Sequence, residues 1–260
     1  MRVAIQLPKK DTNDSSEKYW NSFSAMTSLK DIKLFTTQSH PCSYLPGEEA
    51  RTLFIDPEFP VSTEFHTHLS EIGFRRSGAH MYRPHCSNCQ HCVACRVVVD
   101  RFSPNKRYRR ILRRNEDLRV EAVDDINSDA YYALYETYIN TRHKDGDMYP
   151  ASREQFESFL VQSCESTLFY RVSDGDRLVA VMITDLLSNG LSAVYTFYDV
   201  NEQKRSLGNF AILWQIEEAL RRDLPYVYLG YWIRDCEKMN YKLQYRPIEL
   251  LLNQRWVRLT

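Results

Sequence analysis

The sequence predicts an α+β protein: an N-terminal cysteine-containing domain, then a mixed, mainly antiparallel sheet flanked by helices. Three observations carry this. Four of the seven cysteines share one run, Cys86, Cys89, Cys92 and Cys95. A strongly basic stretch follows, from Arg96 to Arg119. The second half then alternates helix-period segments with apolar runs that close at Asp174-Gly175 and Asn189-Gly190, dipeptides that favour tight hairpin turns.

A length of 260 residues suits one large or two small domains. The expected division is a polar extension over 1–27, the cysteine-containing domain over 28–105, and the sheet-and-helix domain over 106–260. Lysine plus arginine equals aspartate plus glutamate, 34 against 34, so global attraction to nucleic acid or membrane is excluded as the main force. The longest aliphatic run, Leu178 to Ile183, is far too short to span a bilayer. The N-terminus, with Lys9, Lys10, Asp11 and Asp14, lacks the apolar stretch of a signal peptide. The expectation is a cytoplasmic protein without a membrane partner.

In chain order, Arg51–Ile55 reads as an extended piece and the region around Phe65–Ile72 as a helix stopped by Gly73. The cysteine run leads into a strand at Arg96–Val99. Ser103-Pro104 can start a helix that carries the charges from Lys106 onward. Ser128 can cap a helix from Asp129 to His143, and Ser152 another from Arg153 to Ser163. Strands are expected at Thr167–Val172, Leu178–Leu187 and Leu191–Tyr198. An apolar helix over Leu207–Arg222 and a buried strand over Tyr226–Ile233 follow. No internal repeat is visible.

Between Arg96 and Arg119 nine bases face three acids, a surplus of six inside a neutral protein. Before Arg113 the bases have no acidic partner at helical spacing and would repel one another. An anionic partner is the expected reason for them, and each base that meets a phosphate makes binding more salt-sensitive.

The cysteines allow two readings. CxxC spacing lets two sulfurs reach one ion, and both zinc and an iron–sulfur cluster take four ligands. Reduced thiols packed as small apolar groups fit the same run. An odd number of cysteines in a cytosolic chain argues against a disulfide framework.

The element order of the second half resembles an acyltransferase of the GNAT class. In that fold a loop feeding a helix N-terminus offers backbone N–H groups to phosphate. Gln203-Lys204-Arg205-Ser206-Leu207-Gly208 occupies the place, with one glycine where the class usually has a pair. More specifically, Pro41-Cys42-Ser43-Tyr44-Leu45, Gly73-Phe74-Arg75-Arg76-Ser77 and Tyr82-Arg83-Pro84 resemble the N-terminal domain of bacterial aspartate/glutamate leucyltransferases. Arg205-Ser206-Leu207-Gly208 and Leu229-Gly230-Tyr231-Trp232-Ile233, with Cys236, Lys238, Met239, Tyr241 and Lys242, resemble their C-terminal domain. The likeness spans about residues 34 to 250 and extends to the arginyl-tRNA–protein transferases.

The resemblance implies transfer of leucine from leucyl-tRNA to the N-terminal amine of proteins that begin with Asp or Glu, feeding the N-degron pathway of protein degradation. It implies no cofactor for transfer itself. It singles out Cys42, Cys86, Cys89 and Cys92 as the candidate set for zinc or an iron–sulfur cluster, with Cys95 an addition. An aminoacyl-tRNA ester is already activated, so orientation of amine and ester can supply on the order of 7 kcal/mol or more. This fits a chain without a GxSxG elbow or an HExxH helix.

Three needs follow. Binding of tRNA is assigned to Lys106, Arg107, Arg109, Arg110, Arg113 and Arg114, with Lys204, Arg205 and Gly208 at the later helix. Recognition of the acidic acceptor side chain is assigned to Arg75, Arg76 and Arg83, because a guanidinium fork bonds both carboxylate oxygens. Proton removal and oxyanion stabilisation are assigned to Asp199, Tyr231 and Lys242, with Tyr241 nearby. The competing readings are an arginyl-tRNA–protein transferase, a coenzyme A-dependent N-acetyltransferase, and a non-enzymatic metal- or cluster-bearing RNA-binding regulator.

Overall fold

The computed structural model describes residues 32–259, so the extension expected over 1–27 lies outside them. The first strands are β1 (Leu34–Thr36), β2 (His40–Pro41), β3 (Glu49–Ala50) and β4 (Thr52–Ile55). Helix α1 (Thr63–Glu71) starts at Ser62, whose hydroxyl accepts the Phe65 N–H, and ends before Gly73 at φ +88°. Strands β5 (Arg75–Ser77) and β6 (His80–Pro84) complete a four-stranded sheet of order β1-β4-β6-β5. Leu53, Ile55, Leu69, Phe74 and Met81 bury its inner face under α1.

Strand β7 spans Cys92–Val98, so it begins inside the cysteine run rather than at Arg96. It is not an appendage of the small sheet. It lies in the middle of an eight-stranded sheet, antiparallel to strands from the far end of the chain. Helix α2 (Lys106–Arg114) is capped by Asn105 and buries only Tyr108 and Ile111, spaced i and i+3 on one face. Then come β8 (Arg119–Val123), α3 (Asp129–Arg142) and α4 (Arg153–Phe156). The helix expected to run to Ser163 stops being α-helical at Phe156. Residues Glu157–Val161 form a π-helical turn, with the Gln162 N–H reaching back to the Glu157 carbonyl.

Strands β9 (Thr167–Asp174), β10 (Arg177–Leu187) and β11 (Gly190–Tyr198) form the expected antiparallel meander, its first turn taken by Gly175 at φ +58°. Helix α5 (Leu207–Arg221) and β12 (Tyr226–Ile233) follow, then β13 (Ile248–Leu252) and β14 (Arg255–Leu259). The large sheet has the order β14-β13-β7-β12-β11-β10-β9-β8, and β11–β12 is its parallel pair.

The uninterrupted apolar run of β10 reflects burial on both faces. Ala180 and Met182 join the cluster under α5 and α2, whereas Val181 and Ile183 join the cluster under α3 and α4. The described residues therefore form a mixed α/β molecule with a mainly antiparallel sheet. No helix among them is long and apolar enough to cross a membrane.

Candidate active site

The parallel pairing of β11 with β12 covers only Gly190–Ser192 against Tyr226–Tyr228, although both strands continue. Register along β12 shifts between Tyr228 and Gly230, where glycine takes φ +79°. A glycine inside an apolar strand is the usual mark of such a break. Arg75 from β5 reaches into the gap: its Nη1 donates to Ser192 Oγ (2.8 Å) and its Nη2 to the Ala193 carbonyl. A Cβ on residue 230 would lie 3.5 Å from Arg75 Nε.

Lys242 meets the same floor from the segment Glu237–Gln244. Its Nζ donates to the Tyr231 carbonyl at 2.6 Å. Only 7% of Lys242 and 8% of Arg75 is exposed. Burial pulls the Lys242 ammonium down to about 8, opposed by Cys95 and reinforced by the Arg75 charge. Arg83 lies half-buried over the Phe74 ring at 5.1 Å, and burial lowers its pKa too. Among the described residues, none of Arg75, Arg83 and Lys242 has a carboxylate partner.

Tyrosines pack around these elements. Tyr231 donates its hydroxyl to the Gly73 carbonyl at 2.7 Å and packs against Tyr82, ring centroids 6.3 Å apart. Tyr138 packs on Tyr198 at 4.8 Å and edge-on to Tyr195 at 6.5 Å. Burial raises the Tyr231, Tyr138 and Tyr195 hydroxyls well above 10.

The remaining expected residues fall in other places. Arg76, next to Arg75, is already spent: its Nε and Nη2 hold both Asp185 oxygens at 2.8 Å, and its Nη1 donates to the Gly78 carbonyl. Its expected role as a reader of substrate carboxylate gives way to this buried internal pair. Asp199 accepts from Arg177 at 2.9 Å and from both nitrogens of Asn201, so its oxygens are taken up by a turn and an exposed ion-pair network. Arg205 is held by Asp117, Asp174 and Glu202.

The bases of α2, Lys106, Arg107, Arg109, Arg110, Arg113 and Arg114, are all exposed, and none forms an ion pair among the described residues. Arg113 and Arg114 join Lys204 and Arg205 around an open depression of about 590 Å³, shared with Glu116, Asp117 and Glu202. Arg107 donates to Gln244 Oε1, and Tyr108 stacks on Tyr245 at 5.0 Å. The basic helix therefore abuts the segment that carries Lys242. Gly208 opens α5, and a Cβ there would come within 3.3 Å of Tyr198.

Of the cysteines, Cys42, Cys89 and Cys92 pack with buried Cys236 against Leu45, Ile233 and Tyr231. Burial, then the nearby Cys86, Cys42 and Cys89, pushes the Cys92 thiol up to about 12. Cys95 faces elsewhere, its Sγ on the Gly230 carbonyl at 3.4 Å. A different trio, His66, Cys164 and Asp185, has ligand atoms within 4.8 Å of one another, although Arg76 already holds the Asp185 carboxylate.

Sequence reasoning named Tyr231 and Tyr241 but missed Tyr138, Tyr195, Tyr198 and Ser192. The available signal was the aromatic spacing Tyr195, Phe197 and Tyr198 at the end of β11.

The chain is similar to known proteins over most of its length. Residues 40–110 match the family described as arginine-tRNA-protein transferase, N terminus, and residues 130–252 match its C terminus. An aspartate/glutamate leucyltransferase of Pseudomonas putida (strain W619) is 59% identical over 234 residues, 90% of this chain and 100% of that protein. The protein of that name from Pseudomonas paraeruginosa is 57% identical over 235 residues, again 90% of this chain and 100% of that one. Among solved structures, the C-terminal domain of a putative lysylphosphatidylglycerol synthetase from Agrobacterium fabrum overlaps with TM-score 0.45 and 12% identity, covering 74% of this chain and 62% of that one. That overlap is too loose to define a shared fold. The chain is an aminoacyltransferase and belongs to the aspartate/glutamate leucyltransferases of the arginine-tRNA-protein transferase family.

Proposed function

We propose that the protein moves leucine from leucyl-tRNA to the N-terminal amine of proteins beginning with Asp or Glu, with the recess between β11 and β12 as its active site. The observation that carries this is the cationic floor. Arg75 and Lys242 are buried and Arg83 half-buried, with no carboxylate among the described residues to neutralise them. Buried charge without a partner is costly, so a bound anion has much to contribute there. An Asp or Glu side chain beside an N-terminal amine is such an anion.

The amine attacks the ester carbonyl, a C–N bond forms, and the C–O bond to the tRNA ribose breaks. One proton must leave the amine and one must reach the ribose oxygen. Free α-amines have pKa values of about 7.7 to 8.0. Lys242, at about 8, is matched to exchange a proton with such a group at little cost. Tyr231 acts through its carbonyl, which holds the Lys242 nitrogen. The exposed bases of α2, with Arg113, Arg114 and Lys204 around the depression, take the tRNA backbone and lead its acceptor end toward Lys242. Arg205 and Gly208 shape that end of α5, and Asp199 is a structural turn residue.

The meander, helix and returning parallel strand suit a GNAT-like acyltransferase topology, and the reaction belongs to the cytoplasm, where charged tRNA is found. Cys42, Cys86, Cys89 and Cys92 would be the thiolate ligands of zinc or an iron–sulfur cluster, although among the described residues the ligand atoms that lie within 4.8 Å of one another are those of His66, Cys164 and Asp185 instead; the transfer step does not pass through such a group.

The test is transfer of radiolabel from leucyl-tRNA or arginyl-tRNA to peptides beginning with Asp, Glu, Lys or Ala. Leucine should appear on Asp and Glu peptides only. Arginine transfer, or leucine on Lys peptides, would reject the reading.

A further inference from the structure

Two tyrosines near the site keep accessible rings. Tyr241 is 41% exposed although it adjoins buried Lys242 in the segment Glu237–Gln244, and Tyr44 is 48% exposed in the loop after Cys42.

The Tyr241 ring lies beside the proton-handling nitrogen, with Lys242 Nζ 5.9 Å from its centroid. In an aminoacyl-tRNA the carbonyl that reacts is joined through one ribose to the terminal adenine. A nucleobase one sugar away from a reaction centred at Lys242 needs an accessible π-face beside Lys242. Tyr241 offers one, and its neighbour Lys242 fixes where the ester must lie.

We propose that the exposed face of Tyr241 is the stacking platform for the terminal adenine of the aminoacyl-tRNA, so that this single ring sets the position of the ester over the cationic floor. The inference rests on the transfer reading above and deepens it. Base–aromatic stacking contributes about 1–3 kcal/mol per base, and 1.4 kcal/mol is tenfold in affinity. Tyr44, the neighbour of Leu45 in the cysteine cluster, serves as the internal comparison.

The experiment is calorimetric binding of 3′-leucylamido-3′-deoxyadenosine and of the same compound with the base removed, to the whole chain. Wild type should lose about 10- to 100-fold in affinity when the base is absent. Tyr241→Ala and Tyr241→Leu should bind both compounds alike, whereas Tyr241→Phe and Tyr241→Trp should keep the wild-type ratio. Dependence on adenine that survives in Tyr241→Leu, or that disappears only in Tyr44→Ala, would overturn the inference while leaving the transfer reading intact. Failure of wild type to bind either compound, together with no leucine transfer to Asp peptides, would overturn both.

Discussion

Arg75 and Arg76 are adjacent in β5 and have opposite fates. Successive side chains on a strand point to opposite faces. One face delivers Arg76 to Asp185 on β10, with both fork bonds made and the charge cancelled. The other delivers Arg75 into the gap beyond Ser192, where among the described residues it finds a hydroxyl and a carbonyl but no acid. The same residue type thus locks the two sheets together in one place and keeps a charge without a carboxylate partner among the described residues in the other. The difference teaches that a buried arginine is informative through its partner and not through its burial.

The largest expected consequence lies on the locked side. Arg76→Ala leaves Asp185 buried and unpaired, a change that typically costs about 3–5 kcal/mol. Urea denaturation should register it, and Arg76→Met combined with Asp185→Leu should recover much of the loss. His66 adds a pH dependence to this lock, with its Nε2 3.8 Å from Asp185 Oδ2. Burial, against the pull of Asp185, lowers His66 to about 4. The unfolded chain then binds a proton that the folded one refuses between about pH 6.5 and 4. Stability should be intact above 6.5 and fall by on the order of 3 kcal/mol as pH drops through that window. His66→Gln should flatten this fall in thermal melts.

Much of the frame was legible beforehand. The Asp174-Gly175 turn, a second turn that ends at Asn189, the Gly73 stop, the Ser152 cap and the limits of β12 all rest on local chemistry. What escaped notice depends on distant partners. Strand β7 is ordered by β12 and β13, where Arg96 stands opposite Tyr228 and Glu249. The β13–β14 hairpin turns at Asn253 and Gln254, both at positive φ without a glycine to signal it. The basic stretch and the arginine pair were visible as candidates. Nothing in the local sequence distinguishes Arg75 from Arg76, because Asp185 is 109 residues away from Arg76.

The open side should respond in rate rather than stability. Wild-type transfer at saturating substrates should rise with pH through about 8 as Lys242 loses its proton, and Lys242→Met should lower the rate and remove that limb from the profile. A profile unchanged in Lys242→Met would take the lysine out of proton transfer. The smallest effect belongs to the exposed helix. Replacing Arg109, Arg110 and Arg113 by Ala should leave melting unchanged and weaken tRNA binding, with the slope of log K against log salt falling by about 0.7–0.9 for each phosphate left without its arginine.

The central claim is that an uncompensated guanidinium in the recess reads the acceptor's carboxylate. It is tested by kcat/KM for a peptide beginning with Asp against one beginning with Asn, in wild type and in Arg75→Ala, with the KM for leucyl-tRNA measured alongside. Wild type should favour Asp by on the order of 100-fold, and Arg75→Ala should collapse that ratio while leaving the tRNA KM in place. An unchanged Asp-to-Asn ratio in Arg75→Ala would contradict the account.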